Sequence, residues 1–461
     1  MKRLFKQSLL AASVTAGLAV SGAANATNGM SMEGYGARAG AMGGAGMGYD
    51  AGNSNVMNNP AAFGQREDGT VFGAGITILG PDVESTHKPS GNSTESDGDS
   101  YLMPSLSLMR TTGKFTYGAA VLAQGGMGTE YGEAQQGDLF FAGNTAFGQA
   151  DPDGFGAGNA MLSGEEVRSE VGFGRLMAPL AYQVNDDLSV AAQLDLVWVG
   201  MDIQMDLDGA TFFDLMPGSA NNFGSASGSM TTVLGGAIQG GQINDIHWGR
   251  FDFSDDNDFT GEAFGYGFGG KLGIHYRVND KLMVGASYHT ETDIDDPDTE
   301  NATVSFEVTD GGGNVVRADV KGDLEVVDFQ WPAQWGLGAA YEVNDRVMLV
   351  GDVKLIQWSD VLEDFKMKFT ADEQQSGAAQ QFQLGGTELE ANLKQEWDDQ
   401  TVVSLGGQFK ATPKLALRAG VNLADNPVPD KYLNALFPAI VENHVTAGFG
   451  YQFTKQSQVG A

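Results

Sequence analysis

Histidines, nucleophile motifs and clustered carboxylates are where a reaction would be sought first, and their spacing here supports none. The five histidines, at 87, 247, 275, 289 and 444, form no H-E-x-x-H or other metal-ligand spacing, and no G-x-S-x-G sets a serine on a nucleophile elbow. There is no cysteine, which excludes thiol catalysis and disulfides together. The acidic run Asp252, Asp255, Asp256, Asp258 has oxygen ligands for Ca²⁺, but it lacks the glycine and the final glutamate of an EF-hand loop. Gly265-Tyr-Gly267-Phe-Gly-Gly270 formally matches G-x-G-x-x-G, yet the stretch continues as a strand pattern where a phosphate site needs a helix. No catalytic residue, metal or cofactor is therefore expected, and the chain does not read as an enzyme. What remains are cations on polar strand faces. Arg175, Lys271 and Arg418 are candidates for pairing with a ligand carboxylate. Arg277, Lys410, Asp195, Asp352 and Lys354 share that side by parity, so a mixed charge network is the competing reading.

The elements that position these groups are strands. Lys2, Arg3 and Lys6, then apolar Leu9 to Val20 and Ala24-Asn25-Ala26, read as a secretory signal over 1–26. No later segment supplies the roughly 18 apolar residues of a membrane helix. Instead a turn repeats: Tyr182-Gln-Val-Asn185-Asp-Asp-Leu188, Tyr276-Arg-Val-Asn279-Asp-Lys-Leu282 and Tyr341-Glu-Val-Asn344-Asp-Arg-Val347. Looser copies stand at Phe409–Leu415 and Tyr451–Ser457, and Thr111-Thr-Gly-Lys114 precedes them all. Period-two alternation flanks each turn, as in Leu188, Val190, Ala192 and Leu194 against Ser189, Ala191, Gln193 and Asp195. Between the short turns lie long polar connections near 81–100, 127–167, 206–261, 293–329, 359–390 and 424–443. Short turns on one side and long loops on the other mark an outer-membrane barrel, with the short turns periplasmic and their Tyr or Phe in an aromatic girdle. Strands are expected near 69–80, 101–110, 114–126, 168–184, 187–205, 262–278, 281–292, 330–343, 346–358, 391–411, 414–423 and 444–453. A thirteenth begins at about Ser457. Six internal periplasmic turns suit fourteen strands, so the last strands are expected to be missing. The fold class is all-β, a transmembrane antiparallel barrel over 69–461.

Residues 27–68 are Gly-, Met- and Asn-rich and carry Asn59-Pro60-Ala61, a rigid turn in which Pro60 fixes φ. Alone they suit a periplasmic tail or an inserted plug equally. Gly125, Gly126 and Gly128 fall at the end of the third strand, where they suit either a bend or a plain passage into loop. The long loops carry apolar clusters, Leu139, Phe140 and Phe141 in one and Phe212, Phe213, Leu215 and Met216 in another. Exposed, such clusters make a contact surface; packed, they build a cap.

These features together resemble the FadL/TodX family of outer-membrane long-chain fatty acid and hydrocarbon transporters. The resemblance rests on the Gly-rich opening with Asn59-Pro60-Ala61, on Gly125-Gly-Met-Gly-Thr-Glu-Tyr131, and on Trp331-Pro-Ala-Gln-Trp335 leading to Trp358-Ser359. Leu417-Arg-Ala-Gly420 with Asn426-Pro-Val-Pro429 adds to it. It implies a fourteen-stranded barrel with residues 27–68 as a plug in the lumen, anchored by Asn59, Pro60 and Ala61 near a wall opening. It implies too that Gly125, Gly126 and Gly128 kink the third strand to make that opening. Loop residues Leu139, Phe140, Phe141, Phe212, Phe213, Leu215 and Met216 would capture ligand. The function implied is passive uptake of hydrophobic molecules, first of all long-chain fatty acids. Uptake of aromatic hydrocarbons or alkanes, or a general porin for small polar solutes, are the alternatives. The expected partners are that ligand, outer-membrane lipid and lipopolysaccharide, to a monomer. With 59 acidic against 26 basic residues and a net charge of −33, nucleic acid is a poor partner.

Overall fold

A computed structural model describes residues 27–86, 91–132, 139–140, 162–217, 223–255, 261–454 and 457–461. The expected signal, 1–26, lies outside them.

Alternating apolar and polar residues make every wall strand two-faced. The wall runs β1 (Gly69–Leu79), β2 (Tyr101–Thr112), β3 (Phe115–Tyr131), β4 (Val167–Gln183) and β5 (Leu188–Asp208). Beyond an excursion carrying β6 (Ile243–Phe253) it resumes with β7 (Ala263–Arg277) and β8 (Leu282–His289). A second excursion holds β9 (Asp298–Asp310) and β10 (Val315–Val327), before β11 (Gln334–Asn344) and β12 (Val347–Ile356). After β13 (Asp364–Ala371) and β14 (Glu388–Lys394) come β15 (Gln400–Lys410), β16 (Leu415–Ala424), β17 (Asn443–Thr454) and β18 (Ser457–Gly460). Leaving out β6, β9, β10, β13 and β14, thirteen neighbours pair antiparallel around an outer-membrane β-barrel among the described residues.

The short turns form for a local reason. Asn185 Oδ1 accepts the backbone N–H groups of Asp187 (2.9 Å) and Leu188 (2.8 Å), and Asn279 and Asn344 repeat the pattern. That is an Asx turn, which closes the hairpin without help from the rest of the fold. On the wall, Leu194 is 77% exposed beside buried Asp195, so the apolar face points to lipid and the polar face inward. Outward Tyr266 and Tyr276 lie ten residues apart on β7. At ~3.3 Å per residue and a tilt of roughly 40°, about 25 Å separates these two aromatic levels, the height of a membrane's apolar band.

The long connections correct the expectation of loops. β5 outruns the wall and pairs through Ile203–Asp208 with β6, which continues by β9, β10, β13 and β14. The result is an antiparallel cap above the membrane, and the segment 391–411 divides into cap strand β14 and wall strand β15. Its apolar face and helix α1 (Ser229–Gln239) close one hydrophobic core, with Phe251, Phe306, Phe369 and Leu389 in it. Water on one face and a core on the other impose the same period of two as lumen and lipid, so patterning alone does not separate cap from wall.

Residues before β1 fill the lumen as a plug. It is held by close approach: a Cβ on Gly285 would strike the Met47 carbonyl, and one on Gly420 would strike Met42 and Gly43, so inward glycines let plug backbone touch wall backbone. Within the plug, Arg66 grips Asp50 with two nitrogens, each at 2.7 Å. Burial pushes the Asp50 carboxyl up, but that fork outweighs it and holds the group below the ordinary carboxylate range.

Candidate functional site

Between neighbouring wall strands, the pairing breaks off early beside β3. The β2–β3 ladder starts at Thr112–Phe115 and, among the described residues, ends at Ser105–Leu122, whereas the β3–β4 ladder continues to Tyr131–Val167. The separation coincides with a register shift between Ala123 and Gly125. Just past the last pair, Pro104 of β2 has no N–H to offer a neighbour. Gly125 thus closes a bulge, with Gly126 and Gly128 in regular register with β4 beyond it, and the plug accounts for Gly125. Ser31 pairs with Gly125, Gly126 donates its N–H to the Met30 carbonyl at 3.0 Å, and a Cβ on Gly125 would strike that carbonyl. The Tyr35 hydroxyl donates to the Gln124 carbonyl at 2.6 Å. Pro104, Met30 and Tyr35 were not singled out from the sequence; only a proline inside a strand pattern hinted at the first.

A cavity of about 770 Å³ occupies this separation. Loop residues Asp99 and Pro438 border it above, Gly29 and Phe173 border it within the barrel, and outward-facing Leu106 and Trp198 border it on the lipid side. Its wall therefore joins three environments. Seven of its residues are charged: Asp82, Asp97, Asp99, Glu130, Glu170 and Asp202 against Arg168 alone. On the inner side, rings meet edge to face from Trp397 through Trp358 and Trp331 to Phe173, which stacks on Phe329, with centroids 4.6–5.8 Å apart. Each such contact contributes about 0.5–1.5 kcal/mol beyond area burial, which makes this side stiff as well as apolar.

The inward cations are engaged. Arg175 meets Asp195 at 3.0 Å with both side chains fully buried, and Asp195 also accepts from His289 (3.2 Å) and Gln193 (2.8 Å). Arg175 Nε binds Gln124, and its Nη2, like Gln124 Nε2, has no partner among the described residues. Lys271 donates to the Val56 and Met57 carbonyls of the plug, Lys354 to that of Glu33, and Arg418 to Gln408 at 2.9 Å. Asp352 accepts the plug's Gly46 N–H at 2.6 Å and Met47 N–H at 3.0 Å. Parity told which way these groups face; their partners are mostly plug backbone.

Two other expectations change place. Asn59, Pro60 and Ala61 tie the plug to β5 and β7, not to the opening. Asn59 Nδ2 donates to Met47 O (2.9 Å) and Ile274 O (3.0 Å), its Oδ1 caps Ala61 N (3.0 Å), and Ser189 donates to Ala61 O (2.7 Å). These contacts lie near the periplasmic ends of both strands. The loop clusters are packed, not open. Leu139, Phe140, Phe212 and Leu215 are buried, Phe212 edge-on to Phe306 at 5.2 Å, because their apolar area closes the cap core. Met216 is partly buried, Phe213 is 37% exposed, and Phe141 lies outside the described residues.

Residues 163–461 match the family described as outer membrane protein transport protein (OMPP1/FadL/TodX). Among solved structures, the toluene transporter TodX of Pseudomonas putida is 27% identical, with a TM-score of 0.72 over 93% of this chain and 91% of that one. The toluene transporter TbuX of Ralstonia pickettii is 26% identical, with a TM-score of 0.69 over 93% and 92%. A 47 kDa outer membrane protein of Pasteurella multocida is 22% identical over 42% of each chain. The chain spans less than half the length of the curated relatives it matches.

Proposed function

Since this chain belongs to the FadL/TodX family of outer-membrane transporters for hydrophobic compounds, we propose that it admits uncharged hydrocarbons and releases them sideways, through the separation between β2 and β3. The observation that carries this reading is a cavity bordered at once by extracellular loop, barrel interior and lipid-facing wall. An apolar solute gains nothing from a wet lumen, and a path back into lipid keeps its surface out of water. Gly125, Gly126 and Gly128 serve as the kink, and the plug strand hydrogen-bonded there serves as its inner door. Asn59, Pro60 and Ala61 anchor that plug from the opposite end.

Charge favours a neutral ligand over a fatty acid. A carboxylate in the cavity faces six acids and one base, and Lys271 and Arg418 are already occupied. The likeness to two toluene transporters points the same way. The unpartnered Arg175 Nη2 and Gln124 Nε2 favour a second reading, in which a carboxylate reaches past the kink to Arg175.

Because the chain has no cysteine, a pair at Pro104 and Ala123, the positions just beyond the last β2–β3 bridge, is free of competing thiols. In cells lacking other carriers, Pro104→Cys/Ala123→Cys is expected to stop uptake of labelled toluene when oxidised and to restore it on reduction. Undiminished uptake with the crosslink fully formed would refute sideways release. Oleate entering faster than toluene through the unmodified protein would favour the second reading.

A further inference from the structure

The register shift at Gln124 and Gly125 has an effect on the outer face. Both residues are buried, so beyond them the alternation of β3 is reversed and Gly126 and Gly128 point outward. Gly126 pairs with Gly172 of β4, Gly172 with Gly200 of β5, and Gly200 with Phe264 of β7. One row across three adjacent strands therefore has no side chains on the lipid side, and a ring stands at its end. Toward the periplasm the Trp198 indole lies over Gly174; toward the outside stand Glu170 and Asp202. From Gly126 to Phe264 is three strand spacings, about 14 Å. Trp198 pairs with Tyr266, the outer aromatic level, so the groove lies at the headgroup boundary of the outer leaflet.

Two further observations mark it as a site. Gly126, Gly172, Gly200 and Trp198 border the same cavity as the interior residues at the kink, so groove and opening are continuous. Asp202 also borders that cavity and is 1% exposed. Its Oδ1 accepts the N–H groups of Asp255 (2.9 Å) and Glu262 (3.0 Å), but its Oδ2 has no partner among the described residues. A buried acceptor without a donor is costly, and a ligand that brings an O–H relieves it. A charged acid does not fit, because Glu130, Glu170 and Asp202 surround an Arg168 already paired with Glu170 at 2.9 Å.

We propose that this glycine-floored groove is an exit subsite on the outer face of the barrel for an uncharged apolar molecule bearing a hydroxyl, a phenol or an alkanol. Its ring or chain lies over Gly126 and Gly172 against Trp198, and its hydroxyl donates to Asp202 Oδ2. This rests on sideways release through the β2–β3 separation.

An added Cβ on Gly172 meets nothing within 4 Å, so Gly172→Phe fills the groove without displacing the wall. The test uses the full protein in lipid nanodiscs with a diazirine-bearing alkylphenol, and adducts are mapped by mass spectrometry. Adducts are expected at Trp198 and Phe264, and at Met103 and Phe173 on the inner side. Gly172→Phe is expected to abolish the first pair while sparing the second, with lipid-facing Leu194 labelled equally throughout. Asp202→Asn turns the free acceptor into a donor and is expected to reduce labelling of Trp198 to that given by the methyl ether of the probe. Trp198 labelling that survives Gly172→Phe overturns the groove, and a methyl ether that labels the unmodified protein as strongly as the phenol overturns the role of the hydroxyl. Absence of adducts at Met103 and Phe173 as well refutes sideways release itself.

Discussion

Replacing Asn59 tests how firmly the plug is seated. This fully buried side chain makes three hydrogen bonds: it caps Ala61 N, and it donates to Met47 O within the plug and to Ile274 O of the wall. Removing a capping side chain costs about 1 kcal/mol. Each carbonyl left without its donor costs about 1 kcal/mol more. Asn59→Ala should therefore weaken the folded, seated plug by about 3 kcal/mol, about 1 kcal/mol of it at the wall and the rest inside the plug, and at 1.4 kcal/mol per factor of ten the opened population rises by roughly a hundredfold. Asn59→Ser keeps a capping oxygen and loses both amide donations. It should cost about 2 kcal/mol and raise that population by roughly thirtyfold. Hydrogen exchange of the plug amides from Met47 to Phe63, in protein reconstituted in lipid, reads the opened fraction directly. Liposome swelling with a small sugar should accelerate in the same order, Ala above Ser above Asn. Equal exchange in Asn59→Ala and the unmodified protein, or a Ser variant as loose as the Ala variant, would refute the assignment of three separable bonds.

Two further outcomes follow from the lumen. Glu33 in the plug is pushed up to about 7 by burial, with its own backbone N–H and the nearby Lys354 charge pulling the other way. A carboxyl raised above its free value stabilises docking fully below about pH 4.5 and loses that contribution as pH rises through about 7. With each rate divided by the intrinsic amide rate, which itself rises with pH, plug protection should therefore fall between about pH 4.5 and 7, and Glu33→Gln should flatten that profile; a fall that survives the substitution would place the titration elsewhere. At the kink, Asp195→Asn leaves fully buried Arg175 without its counter-charge, at a cost of about 3–5 kcal/mol. Arg175→Met/Asp195→Leu should recover most of that loss, as read from the temperature at which the barrel loses its folded gel mobility.

The sequence by itself determined the elements whose causes are local. Asn185, Asn279 and Asn344 close their turns with their own side chains, and alternation from Leu188 to Asp195 states which side meets lipid. Those signals survive in any single strand, so wall strands, periplasmic turns and the inward direction of Arg175, Lys271 and Arg418 were legible. Tertiary structure decided the rest. The run Ala302, Val304, Phe306, Val308 alternates like a wall strand, but it faces the cap core, because a pattern of two reports a difference between faces without saying what lies on either. Phe212 and Leu215 suit an exposed contact surface or a packed cap until that partner sheet is in place. Asn59-Pro60-Ala61 is a rigid turn in any context, yet only the docked plug sets it against Ile274 and Ser189. Gly125 and Gly126 by themselves suit a bend or a plain loop entry. Which of the two they form depends on Met30 and Ser31, some ninety residues away, whose backbone takes the hydrogen bonds and the space that a side chain would have filled.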